Sequence, residues 1–573
     1  MILQALTQHF EDLAAQGKIS RPGWSPAKIS FALCLDGEGN LTQVIPTLVE
    51  TQVGKKTIPG PQRMELPAAV TRTVGILPNF LWDNSSYLLG VDEKGKPERS
   101  AQCFAACQAL HRGLLEDVPS PLARALLNYF DRWNPATARD HPALAGQWTE
   151  IARGGNLVFR VNGRYVQEDP EIRAAWDRHY ASSEGERVQC LVTGRPAVPE
   201  SVHPSIKGVA GAQSSGAAIV SFNAPAFCSY GKEQSLNAPV GKYAAFAYTA
   251  ALNHLLADRE NVHRIGDTTV VCWAEGAEPG YNVFSNCFLF GDPPPAQIRT
   301  DDLRTMVRKL SQGLPCEELS LDLSRRFYIL GLAPNAARLS VRFFCASTFG
   351  ELLCHVAGHH RRLEIVGNPF PVMPLWALLK ETVNPNTMDK SPSPVMAGAV
   401  ARAIFTGGLY PAALLEGAML RIRAERKITP GRAAILKAYY LKNPHTLCPE
   451  EVLTVSLNEA STNVPYTLGR LFALYEAVQE AANPNINATI KDKYFNSASA
   501  TPATIFPILD NLAQKHLRKL TPGKRIWFDR QIGHLKGVLG ETNPTRLSLP
   551  EQGSFYLGYY HQREARFNKK EEA

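Results

Sequence analysis

Apolar and polar residues follow two different periods in the first two thirds of the chain. Period-two alternation predicts two β-hairpins, over 29–48 with a turn at 36–39 and over 156–166 with a turn at 162–163. The other predicted elements are helices over 101–115, 121–133 and 240–258 and strands over 188–192, 217–222, 268–273, 327–332 and 339–345. This mixture predicts an α+β domain with substantial antiparallel sheet.

The pattern changes at 381–394, where the sequence ETVNPNTMDKSPSP lacks periodic apolar residues. Beyond it the spacing is helical, as in the apolar stripe Leu468, Leu471, Phe472, Tyr475 and Val478. Because 573 residues exceed what one hydrophobic core usually organises, we expect at least two domains. The predicted organisation is an α+β N-terminal domain over 1–380, a linker over 381–394 and an all-α helical bundle over 395–573.

Composition narrows the class of protein. A net charge of +8 suits a large protein with one basic face. Eleven cysteines scattered along the chain favour a reducing, cytoplasmic location over a disulfide framework. The most apolar stretch, 395–420, contains Arg402, Pro411 and Glu416, so it predicts bundle helices and no membrane contact.

Polar loops in 190–231 are the first candidate for ligand contact. Glycines let the backbone approach a ligand, and the candidate donors to phosphate oxygens or base edges are Lys207, Gln213, Ser214, Ser215 and Asn223. The neighbouring Lys232 is a further candidate. The alternative for Gln213, Ser214 and Ser215 is a tight turn whose side chains cap the local backbone.

Basic residues supply the other nucleic-acid candidates. The loop-like string VGKKTIPGPQR holds Lys55, Lys56 and Arg63, and it is either a DNA-groove wedge or a plain solvated loop. The bundle holds two basic clusters interleaved with aromatics, which suit a phosphate backbone and stacked bases. The alternative is solvated charges and core aromatics. The clusters are Arg421, Arg423, Arg426, Lys427, Arg432, Lys437 and Lys442 with Tyr439 and Tyr440, and Lys515, Arg518, Lys519, Lys524, Arg525 and Arg530 with Trp527 and Phe528.

Motifs for catalysis are incomplete. The string GAQSSG (211–216) has one residue too many for a G-x-S-x-G nucleophile elbow. His355 and His359 have helical i, i+4 spacing, but the Glu of H-E-x-x-H is missing; with Cys345, Cys354 and His360 they form only a weak zinc candidate. We therefore predict no catalytic site and no cofactor.

Several strings resemble the large subunit of the type I-C CRISPR Cascade complex. They are CLVTG (190–194), HPSIKG (203–208), GAQSSGA (211–217), SFN (221–223), FCSYG (227–231), RTVGILPNFLWDNSSYLLG (72–90) and PGW (22–24). The matching blocks span much of 1–260, and the chain length suits the whole subunit.

The resemblance implies a non-catalytic subunit of a crRNA-guided antiviral complex. Such a subunit would recognise the protospacer-adjacent motif (PAM) on double-stranded DNA, promote R-loop formation and hold the displaced non-target strand. The implied partners are target DNA, the crRNA 5′ end, the other Cascade backbone and small subunits, and a recruited helicase-nuclease. The Gln213 loop would contact DNA, the crRNA 5′ handle or a neighbouring subunit. Two alternatives stay open: a metal-dependent or serine hydrolase acting on nucleic acid, and a purely structural scaffold.

Overall fold

The computed structural model describes the chain except residues 54–55, 71, 73–74, 94–96, 183–184, 223, 259–261, 279, 291–304, 306–308, 310–320, 370–372, 389 and 569–573. The chain forms two compact units. Unit 1 comprises Met1–Pro204 and Val220–Ala251, and unit 2 comprises Ser205–Ile219 and Leu252–Ala573.

Unit 1 contains ten described strands in three sheets. The orders are β1-β5-β4, β3-β2-β7-β6 with β8 beside β7, and β9-β10. All pairings are antiparallel except that of β2 with β7. The strands are β1 Trp24–Ile29, β2 Phe31–Leu35, β3 Leu41–Pro46, β4 Leu48–Val53, β5 Lys56–Pro67, β6 Trp82–Asp83, β7 Leu157–Val161, β8 Arg164–Tyr165, β9 Val188–Gln189 and β10 Pro196–Ala197.

Helices flank these sheets, and local sequence signals set their ends. Helix α4 begins after Ser120, whose hydroxyl accepts the N–H of Leu122 at 3.1 Å, and Pro121 occupies its first position. Phe31, Tyr129 and Phe159 lie in the core between sheet and helices. The helices are α1 Ile2–Ala15, α2 Ser85–Leu88, α3 Pro97–Leu115, α4 Pro121–Arg132, α5 Trp148–Ala152, α6 Pro170–Ala181 and α7 Lys242–Ala257, the last of which continues into unit 2.

The described strands of unit 2 form an antiparallel sheet of order β11-β12-β13-β14. Every residue of β12 is buried, as expected for an interior strand. A capping box between Thr348 and Glu351 starts the helix that follows the sheet. The strands are β11 Val262–Ile265, β12 Thr268–Ala274, β13 Arg326–Asn335 and β14 Arg338–Thr348.

The rest of unit 2 is largely helical. Its described helices are α8 Gly280–Ser285, α9 Phe349–Leu363, α10 Leu375–Lys380, α11 Pro394–Thr406, α12 Ala412–Glu425, α13 Pro430–Lys442, α14 Val464–Ala482, α15 Ile490–Ala500, α16 Pro502–Leu517, α17 Pro522–Leu539 and α18 Leu549–Asn568. Helices α14 and α18 approach each other at two glycines. A Cβ atom on Gly469 would lie 2.0 Å from the carbonyl oxygen of Phe555, and one on Gly558 would lie 2.0 Å from that of Tyr466. Only glycine permits this separation.

The predicted fold class is confirmed. Both hairpins form, and the helices predicted over 101–115, 121–133 and 240–258 are present with shifts at their ends. The strand predicted over 217–222 is wrong, because Ala217 and Ala218 form only isolated bridges, to Ile206 and Arg338. The strand predicted over 188–192 is limited to Val188–Gln189.

The apolar stretch 395–420 falls in two helices, α11 and α12, as expected for a bundle. Within the described part of the chain, none of the helices combines the length and the apolar character needed to cross a bilayer. The segment 381–394 contains no described helix or strand before α11 begins at Pro394. The domain boundaries drawn from the sequence stay a prediction.

Candidate nucleic-acid interfaces

The first candidate interface is the loop of residues 205–219 in unit 2, here called the polar loop. Two hydrogen bonds of 2.9 Å between Ile206 and Ala217 close its base. The amide of Asn253 on α7 accepts from the N–H of Lys207 at 2.8 Å and donates to the carbonyl of Ser205 at 3.0 Å. The base of the polar loop is therefore held by paired backbone groups.

Backbone conformation and close packing explain the glycines of the polar loop. Gly216 has φ +102°, and a Cβ atom there would lie 2.7 Å from the Cβ of Ser205 and 3.3 Å from the Cγ of Lys207. The side chain of Lys207 therefore lies next to the turn at 213–216, which the N–H of Gly216 closes by donating to the carbonyl of Gln213 at 3.0 Å.

The predicted donors of the polar loop face solvent. Lys207, Gln213, Ser214 and Ser215 are exposed. Among the described residues, the side chains of Gln213, Ser214 and Ser215 make no hydrogen bond, so they do not cap the local backbone as the alternative reading required. Asn223, grouped with them from the sequence, lies outside the described residues.

The second candidate interface, here called the basic corner, lies where α16 ends and α17 begins. The four residues 518–521 connect the helices, which brings the cations of both ends together. All of its cations are exposed: Lys515, Arg518, Lys519, Lys524, Arg525 and Arg530. Lys519 donates to the Asn483 amide oxygen at 3.2 Å, and Arg525 lies 3.7 Å from Asp529.

Helix electrostatics oppose the cations at the start of α17. Lys524 and Arg525 lie at the positive end of the helix dipole, and the first turn contains no acidic residue. Within the described chain, the side chains of Lys515, Arg518, Lys524 and Arg530 have no ion pair or hydrogen bond. This arrangement costs local stability and favours an external anion.

The aromatics of the two basic clusters divide into core and surface. Trp527 is 49% exposed at the basic corner, whereas Phe528, 4.8 Å away between ring centres, is 6% exposed. Tyr439 and Tyr440 are 4% and 3% exposed and belong to the unit 2 core. Only Trp527 of these four has the exposed surface that base stacking needs.

Four cations of the basic cluster at 421–442 make intramolecular contacts. Arg421 lies 3.8 Å from Glu425, and Arg423 donates to Gln552 at 2.6 Å. Arg432 and Lys437 are buried; the ammonium of Lys437 donates to the carbonyl oxygens of Arg362 and Glu364, and burial lowers its pKa to about 8. The contacts of Arg423 and Lys437 join separate segments of unit 2, whereas the Arg421–Glu425 pair lies within α12.

The remaining candidates belong to unit 1. Lys55 lies outside the described residues, and Lys56 pairs with Val53 in the β4–β5 hairpin. Arg63 lies opposite Lys28 in the β1–β5 ladder, and both are exposed, so the pair forms a small positive site. Lys232 is exposed in a turn beside Tyr230, which is 98% exposed.

The histidines proposed for zinc have other partners. The Nδ1 of His359 lies 2.6 Å from the Tyr410 hydroxyl, and that of His355 lies 3.1 Å from the carbonyl of Phe405. Burial, followed by the charges of His360 and Arg362, lowers the pKa of His359 well below its usual range. Across the described ranges, no three or more His, Cys, Asp or Glu side chains are arranged to hold a metal ion.

Comparison with known families decides the identity. The model of the family described as "CRISPR-associated protein (Cas_Csd1)" matches residues 6–567, nearly the whole chain. The chain belongs to the Cas_Csd1 family. No curated protein matches it.

The Cas_Csd1 family provides the type I-C large subunit, so this chain is a CRISPR-associated Cascade large subunit. The resemblance read from the loop strings is thereby confirmed. The family is not known as a catalytic one. Membership implies association with other Cascade subunits and with crRNA, whereas the roles of the polar loop and the basic corner require their own tests.

Proposed function

We propose that this subunit reads the PAM on double-stranded DNA, promotes R-loop formation and holds the displaced non-target strand in a cytoplasmic, crRNA-guided Cascade complex. It has no catalytic role in this proposal, and it supports recruitment of a separate helicase-nuclease once target is bound.

The basic corner is the observation that carries the proposal. It combines six exposed cations with the half-exposed Trp527, and Lys524 and Arg525 lie at the positive end of the α17 dipole. Guanidinium and ammonium groups neutralise phosphates, and an indole face stacks on any base, so the surface suits a single strand without sequence preference. The proposal does not use Arg421, Arg423, Arg432 and Lys437, because their side chains already have protein partners.

The polar loop supports the duplex-reading part of the proposal. PAM reading needs donors and acceptors for base edges together with a cation for the adjacent backbone. Gln213, Ser214 and Ser215 offer such groups beside Lys207, on a base fixed by hydrogen bonds. Lys55, Lys56, Arg63 and Lys232 extend the candidate contacts in unit 1.

The test uses the assembled complex and two substrates of equal length, a PAM-containing duplex and a single-stranded target. The variant combines Lys207→Ala, Gln213→Ala and Ser215→Ala, all at exposed positions. A PAM-reading loop predicts at least tenfold weaker duplex binding, because each lost base-edge contact costs about 1–3 kcal/mol. Single-strand binding should change much less. Equal losses on both substrates would contradict the PAM role.

A further inference from the structure

Unit 1 contains two adjoining cavities that the candidate interfaces above do not include. Their volumes are about 470 and 460 Å³, and Ala197 and Tyr243 line both. The walls come from α1, the turn 190–195, α6 and the first turn of α7. Each volume is within the usual range of small-molecule sites, roughly 300–1,000 Å³.

The cavities are lined by cations from distant parts of the sequence. Arg195 lines the first, and Arg21, Arg187 and Lys242 line the second. Arg187 and Arg195 are exposed, and within the described chain their side chains have no hydrogen bond or ion pair. Lys242 also lies near Glu200, whose pKa burial raises. Free guanidinium groups at a cavity wall favour an anionic ligand.

The two lining carboxylates already have protein partners. Asp177 accepts from the indole N–H of Trp24 at 2.8 Å and pairs with Arg21 at 3.1 Å. Glu11 accepts from the hydroxyl of Tyr243 at 3.2 Å. With Glu200 beside Lys242, four cations face three carboxylates, and the excess positive charge is that of Arg187 and Arg195.

Tyr243 stands between the two cavities and offers an aromatic surface. It is 41% exposed, and its ring meets Phe10 edge-on with 6.3 Å between centres. Burial and the neighbouring Glu11 carboxylate raise the pKa of Tyr243 to about 12, so the hydroxyl remains a donor to Glu11. An aromatic side chain fixed at both ends is suited to stacking against a planar ligand.

The turn at 190–195 lines the first cavity and is held by hydrogen bonds. Leu191 donates its N–H to the Pro239 carbonyl at 2.9 Å, and the N–H of Gly241 donates to the Cys190 sulfur at 3.2 Å. Burial opposes ionisation of Cys190, yet hydrogen bonds from Thr193, Gly241 and Val192 lower the pKa of its thiol. These donors converge on the Cys190 sulfur, so they hold in place the turn that lines the first cavity.

We propose that these two cavities bind a phosphorylated nucleotide, with its base against Tyr243, which lines both cavities, and its flanking phosphate groups against Arg195 of the first cavity and Arg187 of the second. The geometry combines an exposed aromatic ring, unpaired guanidinium groups and a rigid turn within one unit. The nucleotide is either free or part of a strand, and its chemistry is the same in both cases. Its residues differ from those of the polar loop and the basic corner, so it can fail or succeed independently of the proposed function.

The test is a photo-crosslink on the purified full chain. The probe is a 5′-phosphorylated single-stranded tetranucleotide carrying 5-iodouridine, and mass spectrometry maps the attached peptide. We expect attachment to the peptide that contains Tyr243. The double variant Arg187→Ala, Arg195→Ala should reduce it at least tenfold, whereas the exposed control Arg124→Ala on α4 should not.

Competition identifies the source of the nucleotide. Displacement of the probe by uridine 3′,5′-bisphosphate would support a site for a free nucleotide, and displacement only by the unlabelled tetranucleotide would support a strand. Absence of a crosslink near Tyr243 in the unmodified chain would overturn the proposal. So would an undiminished crosslink in the double variant with an unchanged circular dichroism spectrum.

Discussion

Neutralising the basic corner should flatten the salt dependence of single-strand binding. The variant combines Lys515→Gln, Arg518→Gln and Lys524→Gln, which are exposed and have no side-chain partner within the described chain. Each phosphate contact on a single strand contributes about 0.7 to the slope of log K against log salt. Losing three contacts should reduce the magnitude of this negative slope by about 2. Between about 50 and 200 mM salt, the affinity of the variant should therefore fall roughly twentyfold less than that of the unmodified chain.

The assay is fluorescence anisotropy of a labelled single strand, titrated with the full chain at several salt concentrations. A matched control removes the same charge from unit 1 through Arg99→Gln, Arg124→Gln and Arg139→Gln, which are also exposed. The control should keep the original slope to within about one contact, about 0.7. An unchanged slope in the basic-corner variant, or an equal decrease in the control, would refute the assignment of these cations to strand binding.

Three further predictions concern packing, duplex binding and pH. Gly558→Ala should lower the free energy of unfolding by about 2 kcal/mol or more, because its Cβ would overlap a backbone carbonyl. The control Gly533→Ala has open space around the new Cβ and should be neutral or stabilising. Urea denaturation measures the free energy of unfolding of both variants. Replacing Lys55 and Lys56 with alanine should weaken PAM-duplex binding more than single-strand binding in gel-shift titrations, and equal losses would contradict a groove role. Burial lowers the pKa of Lys437 to about 8, so this side chain loses its proton at a lower pH in the folded state than in the unfolded state. The free energy of unfolding should therefore rise by about 1.4 kcal/mol per pH unit between pH 8 and 10. Lys437→Met should remove that rise in urea midpoints, and an identical pH profile in the two proteins would contradict it.

Local patterns were sufficient for most of the fold. The hairpin turn at 36–39 was predictable because the Asp36 side chain accepts the N–H groups of Glu38 and Asn40 at 3.0 and 2.9 Å. The stripe from Leu468 to Val478 is buried as its spacing predicted. The strand predicted over 217–222 is absent, because Ala217 and Ala218 pair with Ile206 and Arg338 at isolated positions only. Strand pairing depends on tertiary contacts, which the alternation of apolar and polar residues does not reveal.

The candidate sites were harder to predict from the sequence than the fold was. The number of cations made the clusters at 421–442 and 515–530 look alike in the sequence. Only the structure shows that Arg423 and Lys437 of the first cluster donate hydrogen bonds to other residues of the chain. Adjacent aromatics were equally ambiguous, since Trp527 is exposed and Phe528 is buried. The cavities beside Tyr243 were missed because their cations lie in segments far apart along the chain. Their only sequence signal was the Gly-containing string CLVTG.

The most direct test of the proposed function is duplex binding by the assembled complex with this subunit present or omitted. Targets should carry the same protospacer with either a matched or a scrambled flanking trinucleotide. The proposal predicts binding that depends on the flank and a preference that disappears when the subunit is omitted. A flank preference that persists without this chain would contradict PAM reading by this subunit.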